Sequence, residues 1–503
     1  MGSSTSKYPK DDTSSVEVYN EKVGYEAPSS SVSADSAAEY LQGLSLDVCD
    51  YSNDINASTI KKWDADLQAD PKNRVVQNAF SQHTLAEITK KRNVDLTLND
   101  RYLFNVEVDP IGSPSFLDNQ KSSGRCWIFA TSNVIRTNVI QRHNLDPSEF
   151  QVSQAYLYFY DKLEKANYFL ENIIDTADEP LDSRLIQWLF SGSVNDGGQW
   201  DMISNIIDKY GIVPNEVFPD NANASSSSSL NAILTDKLRE YALVLRKLKA
   251  KGTPKKAILA AKNGFNKQIY NIVALFLGSP VGPNEEFTWE YKDKNGKFHS
   301  VKTTAVEFYK KYASYNVTQR FSLLNDPRNE YNKLYTVDRL NNVYNGRPIE
   351  YVNVDLPAMK KAAINMLKNN EPVFFGCDVG KFFDGASGVM DTNLFDYDLV
   401  LGAAPKLTKE ERLRTGSSQM THAMVIAGVH LDTDGKPVRW KVENSWGDAG
   451  GNKGWYLMSD DWFNEYVFQV VTSKAYVERS HYELWKSKKY DVLPFYDPMG
   501  ALA

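Results

Sequence analysis

Cys126 is one of three cysteines in the chain. It stands where a polar stretch, Asn119 to Arg125, gives way to the apolar run Trp127-Ile128-Phe129-Ala130. A thiol at the start of a helix faces the positive end of the helix dipole and unpaired backbone N–H groups, and both favour the thiolate. The alternative is an inert thiol packed at the head of a core helix. A partner imidazole separates the two readings, because a thiolate–imidazolium pair makes the sulfur a nucleophile. Among six histidines, His422 has the most suggestive context: it heads "HAMVIAGVHL", with small Ala423 beside it. Asn444 follows in "ENSWG". Its side-chain oxygen can accept from one ring nitrogen and leave the other facing sulfur, while Trp446 covers that bond. Upstream, the Gln120 amide and the Cys126 N–H can serve as two donors to an oxyanion. Ser122, Ser123 and Gly124 can form the tight loop that brings those donors to one point. The chemistry this set can carry is acyl transfer, with His422 moving the proton.

The elements that must position these groups are legible from periodicity. "WIFATSNVIRTNVIQRH" places Ile128, Ile135 and Val139 one or two turns apart with Val134 alongside, which predicts a buried helix with Cys126 in its first turn. "SQAYLYFYDKLEKANYFLENII" predicts a second helix, N-capped by Ser153. An earlier helix through Trp63 and Leu67 would be capped by Ser58 or Thr59, and "NRVVQNAFSQ" predicts another. "NASSSSSL" reads as a low-complexity break. "LNAILTDKLREYALVLRKLKA" and "AILAAKNGFNKQIYNIVALFL" predict a helical hairpin turning at Gly252 and Pro254. In the last third, "EYVNVDL", "PVFFGCDVG", "AMVIAGVHL", "VRWKVENSW" and "GWYLMS" are strands. Helices first and strands later imply an α+β fold with a cleft where the halves meet.

Composition excludes several classes. Among 503 residues, 42% are hydrophobic and 24% charged, as in ordinary globular proteins. Cys49, Cys126 and Cys377 are too few and too scattered for a disulfide framework, and no pair has metal-ligand spacing, so neither zinc nor any other cofactor is expected. Reduced thiols point to the cytoplasm. No apolar run is long enough to span a membrane, and no secretory signal is apparent. "MGSSTSK" would expose Gly2 after loss of Met1, with Ser6 where the myristoylation pattern needs it; a single acyl chain would give only weak membrane association. The net charge of −7 opposes nucleic-acid binding over the whole surface. Residues 236–268 nevertheless hold ten Lys or Arg against two acidic residues. They form either a solvated helix face or a surface for an anionic partner such as nucleic acid.

Gln120 ahead of Cys126-Trp127, together with His422-Ala423 and Asn444-Ser445-Trp446-Gly447, resembles the papain-like cysteine proteases. "NDGGQW" resembles the glycine pair of that superfamily, which implies that Gly197 and Gly198 pair with the substrate backbone. The chain departs from the ordinary pattern at Arg125 and Thr421, in its long Cys126–His422 separation, and in lacking disulfide cysteines and an inhibitory propeptide. Those departures, with "NQKSSGRCW", "FYDKLEKANYFL", "FTWEY", "MTHAM" and the terminal "DPMGALA", resemble the bleomycin hydrolase branch from about residue 58 onward. The resemblance implies a papain-like core with a helical insertion, a homohexameric ring, and aminopeptidase activity through a thioester acyl-enzyme. It also implies that the C-terminal arm lies in the cleft, so that the Ala503 carboxylate receives the free amino group of the substrate. Expected boundaries are a Ser-rich, disordered tail at 1–57, a helical half at 58–220, a helical insertion at 221–345, a β-rich half at 346–480 and the arm at 481–503. The rival readings are a papain-type endopeptidase and a nucleic-acid-binding protein with secondary peptidase activity.

Overall fold

The computed structural model describes residues 54–94, 102–109 and 118–501. Gly2, Cys49, the 1–53 stretch and Ala503 lie outside the described residues. The chain divides into two compact units, one ending at Asn78 and the other starting at Ala79. In the first, the helix Ala57–Ala69 is capped by Asn56, whose side chain accepts from the Thr59 N–H. The cap expected at Ser58 or Thr59 is thus displaced upstream, because extended backbone at Asn56 lets its carboxamide reach that donor.

The second unit is built around α1, Cys126–His143. Its sequence predicts one buried stripe, yet nearly every residue from Cys126 to Ile140 is buried. Two of its buried hydroxyls bond back along the helix: the Thr131 hydroxyl donates to the Trp127 carbonyl at 2.8 Å and the Thr137 hydroxyl to Asn133 O at 3.1 Å. Around it pack α2, Gln154–Asp175, capped by Ser153 as expected, and α3, Trp200–Tyr210. Two long helices follow, α4 Ser228–Ala250 and α5 Lys255–Leu277. Leu234, Leu238, Leu245, Ile269 and Val273 share the core cluster that contains Trp127 and Tyr158. Burying each such aliphatic side chain is worth about 1.5–3 kcal/mol.

Opposite the helices, the described residues form a 12-stranded mixed sheet. Its longer strands are β1 Arg320–Leu324, β2 Lys333–Val337, β3 Tyr351–Asn353, β4 Val373–Cys377, β5 His422–Leu431, β6 Pro437–Glu443, β7 Trp455–Ser459, β8 Val467–Ser473 and β9 Asp491–Leu493. They neighbour one another in the order β9-β2-β3-β1-β8-β4-β5-β6-β7, and three two-residue strands complete the sheet. The architecture is α+β. The segment 221–345, expected as a helical insertion, is helical only in part. After α5 it forms a two-stranded hairpin, Glu286–Lys292 with Phe298–Thr304, and then contributes β1 and β2 to the large sheet. Phe321, Leu323, Leu324 and Leu334 are buried there, which ties these strands to the core.

Candidate active site

The site begins where α1 starts against β5. Cys126 is the first residue of α1 and His422 the first of β5. The backbone of Ala423 hydrogen-bonds the Cys126 thiol, so the strand carrying the imidazole meets the helix carrying the sulfur. His422 Nε2 and Asn444 Oδ1 are 2.8 Å apart, which leaves Nδ1 as the ring nitrogen free for other work. Asn444, expected within the strand "VRWKVENSW", is the residue just after β6, which ends at Glu443. Its oxygen also accepts from the Ser445 N–H at 2.8 Å, which fixes the carboxamide's orientation. The indole of Trp446 lies over the imidazole, ring centres 5.0 Å apart and planes at 37°. The geometry therefore brings His422, Asn444 and Trp446 together as the residue types suggested.

Gln120 belongs to the same cluster. Its Nε2 donates to Ser123 O at 2.6 Å and its Oε1 accepts from the Ser445 hydroxyl at 2.6 Å. The Gln120 N–H donates to Ser445 O at 2.9 Å. A primary amide has two N–H bonds, so one remains after the Ser123 contact. The loop from Gln120 to Gly124 is closed by the Ser123 hydroxyl on Gln120 O at 2.5 Å.

The electrostatics differ from the expectation at the thiol. Backbone donors from Ala423, Trp127 and Cys126 itself pull its pKa down, but burial outweighs them and pushes it up to about 11. Burial likewise pushes His422 down to about 4, against the opposing hydrogen bond to Asn444. An enclosed site of low polarity disfavours either charge alone, so burial works against both an isolated thiolate and an isolated imidazolium here.

Gly197 and Gly198 sit against this helix. A Cβ on Gly198 would lie 2.5 Å from the Trp127 ring, so only glycine fits. Lys165 Nζ donates to Gly197 O at 2.6 Å and the Trp127 indole N–H donates to Asp196 O at 2.8 Å. Sequence reasoning missed the next residue: Gln199 Nε2 donates to the Ala501 carbonyl at 2.6 Å, which brings the C-terminal segment to the glycine loop. The segment is anchored by β9 on β2 and by fully buried Met499.

Arg125, without an assigned role in the sequence, is fully buried. Its guanidinium pairs with both oxygens of Asp220 at 2.8 and 2.7 Å and lies over the Phe129 and Tyr158 rings. The serine run is no break: Ser226 bridges to Ser122, with the Ser122 N–H on Ser225 O at 3.0 Å. Farther along α1, Arg136 joins Asp118 and Glu443 at 2.9 and 2.8 Å, so one buried cation links the helix to the strand end before Asn444. Of the basic stretch, Arg246, Lys249 and Lys262 are turned onto Thr176, Ile174 and Asn167 of α2 and its C-cap. Among the described residues no cluster of potential metal ligands occurs, and no helix is long and apolar enough to cross a membrane.

The sequence matches the Peptidase C1-like family over residues 54–500. It is 41% identical over 458 residues to "Cysteine proteinase 1, mitochondrial" of Saccharomyces cerevisiae, covering 90% of this chain and 94% of that protein. It is 40% identical over 462 residues to the bleomycin hydrolase of Homo sapiens, covering 90% of this chain and 99% of the relative. A crystal structure of PepW from Lactobacillus rhamnosis superposes with a TM-score of 0.85 at 41% identity, over 90% of this chain and 100% of that one. With a papain-like α+β fold that places a cysteine, a histidine and an asparagine in one cluster, the chain belongs to the Peptidase C1-like family and is a cysteine peptidase.

Proposed function

We propose that the enzyme is a bleomycin hydrolase-like aminopeptidase whose nucleophile is Cys126. The sulfur attacks the carbonyl carbon of the first peptide bond while its proton passes to His422 Nδ1. The remaining Gln120 N–H and the Cys126 N–H face the oxyanion. His422 then gives the proton to the leaving amine as the C–N bond breaks, which leaves a thioester on Cys126. Water attacks the thioester with His422 as base and releases the acyl product. Asn444 holds the ring through Nε2, and Trp446 covers that bond. Because burial disfavours each charge on its own, His422 acts as general base during attack.

The observation that carries the exopeptidase reading is the Gln199–Ala501 hydrogen bond. An arm lying along the Gly197–Gln199 loop occupies the place of an N-terminal extension, and the Ala503 carboxylate is the proposed receptor for the substrate's ammonium. The test is one fluorogenic peptide with a free or an acetylated N-terminus. Only the free form is expected to be cleaved by the wild type, and neither by Cys126→Ala. Equal turnover of both forms would exclude an aminopeptidase in favour of an endopeptidase. A homohexameric ring, a cytoplasmic location and an acylated Gly2 with weak membrane association complete the reading. They rest on the motifs "DPMGALA" and "MGSSTSK" and on sparse free cysteines, and native mass, fractionation and the mass of the N-terminal peptide test them. Nucleic-acid binding through 236–268 is the lesser reading, because several of its cations are used in packing.

A further inference from the structure

One carboxylate joins four separate parts of the fold beside the nucleophile. Asp196 Oδ2 accepts from the Gly124 N–H at 3.1 Å and the Ser227 hydroxyl at 2.5 Å. Its Oδ1 accepts from the Tyr158 hydroxyl at 2.8 Å, Lys162 Nζ at 2.6 Å and Asn231 Nδ2 at 2.8 Å. Gly124 is in the loop before Cys126, Tyr158 and Lys162 are on α2, and Ser227 and Asn231 are the root of α4. Asp196 itself opens the glycine pair.

The contacts are close on every side. Lys162 is fully buried and also donates to Val194 O at 2.8 Å and Asn195 O at 3.1 Å. A Cβ on Gly124 would come within 3.0 Å of the Asp196 Cβ, so the two loops touch. Ser227 is the N-cap of α4 but makes no capping bond; its hydroxyl goes to Asp196 instead. A hydroxyl withheld from its own helix is normally a cost to that helix. The strap beside it repeats the link, since Ser122 is bonded to Ser225 and Ser227 through the backbone and Arg125 to Asp220. These ties from the 220–231 strap thus land on Ser122 to Arg125, or on the carboxylate that bonds Gly124.

We propose that Asp196 is a positioning residue that holds the loop before Cys126 and the glycine pair in register, and that Ser227 and Asn231 make this register depend on how α4 is seated. The proposal rests on the thiol peptidase reading. An oxyanion donor or nucleophile displaced by about 1 Å loses on the order of a hundredfold in rate, so partial loosening of this hub is read in turnover before it is read in folding. Both Asp196 oxygens are engaged by donors. An asparagine would turn an N–H against one set of them, most sharply against the Gly124 N–H, which cannot reverse its role.

The experiment uses the full chain and two readouts: steady-state kinetics, and the pH dependence of Cys126 alkylation by iodoacetamide, which needs no substrate. The double variant Ser227→Ala/Asn231→Ala is expected to lower kcat about tenfold with KM within about twofold, and to shift the alkylation midpoint. Ser228→Ala, at the exposed neighbouring position, is expected to change neither. Asp196→Asn should lose more, and if it does not fold the double variant carries the test. A double variant with a lowered melting temperature but wild-type kcat and alkylation midpoint would reduce Asp196 to a structural role and overturn the proposal. Turnover retained by Cys126→Ala would instead overturn the peptidase reading, and the alkylation shift would still report on the loop.

Discussion

The two halves of the site are held in different ways. His422 and Asn444 sit at the ends of paired strands, where β5 is flanked on both edges: His422 is in register with Cys377 of β4, and Val425 with Glu443 of β6. Their positions follow from a backbone ladder that any strand-compatible side chain preserves. Cys126 heads a helix, and the loop before it is fixed by side chains reaching from afar, through Arg125 to Asp220 and Gly124 to Asp196. A ladder spreads its support over many equivalent bonds. A few charged ties concentrate it, so single substitutions on the nucleophile side should reach the chemistry from a distance, and those on the strand side should not.

The largest test of that contrast is at the junction of the halves. Gln120→Ala removes a donor from the oxyanion and breaks the Ser445 contact, and a loss of about 10²–10³ in kcat is expected. A loss under tenfold would mean that the Cys126 N–H suffices alone. Next comes acid stability. His422 is held near 4 in the folded chain and returns to its ordinary value on unfolding, so the unfolded state binds the extra proton. Stability is therefore full above about pH 6.5 and falls as pH drops toward 4, by roughly 3 kcal/mol in all. Urea melts of the wild type and His422→Gln across this window should differ in slope by up to one proton, with the variant shallower. Parallel curves would show that His422 is charged in the folded site.

The smallest effect compares like with like. Arg125→Lys keeps the charge but loses the planar two-point contact with Asp220, and about a tenfold fall in kcat is expected. Met424→Leu, a volume-conserving change in β5, should cost under about 1.5 kcal/mol and leave kcat unchanged. Equal kinetic effects from the pair would erase the distinction between ladder and ties.

The same contrast explains what could be read from the chain alone. Cys126, His422, Asn444 and Gln120 stand out in the sequence because they carry the functional groups that the proposed chemistry needs, and glycine at 198 has its reason in the Trp127 ring, which leaves no room for a Cβ. Strands β3 to β7 are legible from their β-branched and aromatic residues between turn residues, whereas β1, β2, β8 and β9 are not. Arg125 was opaque because its partner lies 95 residues on and neither residue marks the other in sequence. The serine run looked like a break for a similar reason: serine favours no element, and its order comes from pairing with Ser122. Asp196 shows nothing locally, since its five donors come from segments that only the fold brings together. Burial of the thiol, which reverses the pKa shift expected from a helix start, is a property of the surrounding core and not of the motif.

The contact between Ala501 and Gln199 joins the glycine loop to a distant segment of its own chain. Such an occupant is present at an effective concentration in the millimolar range and cannot be diluted away. Any ligand that lies along the Gly197–Gln199 loop must displace this tethered competitor, so its apparent affinity is weakened by the arm's own occupancy. Ligands that stop short of the loop escape the penalty. Inhibitors aimed at the proposed nucleophile are therefore better grown away from Gln199, where this tether does not compete.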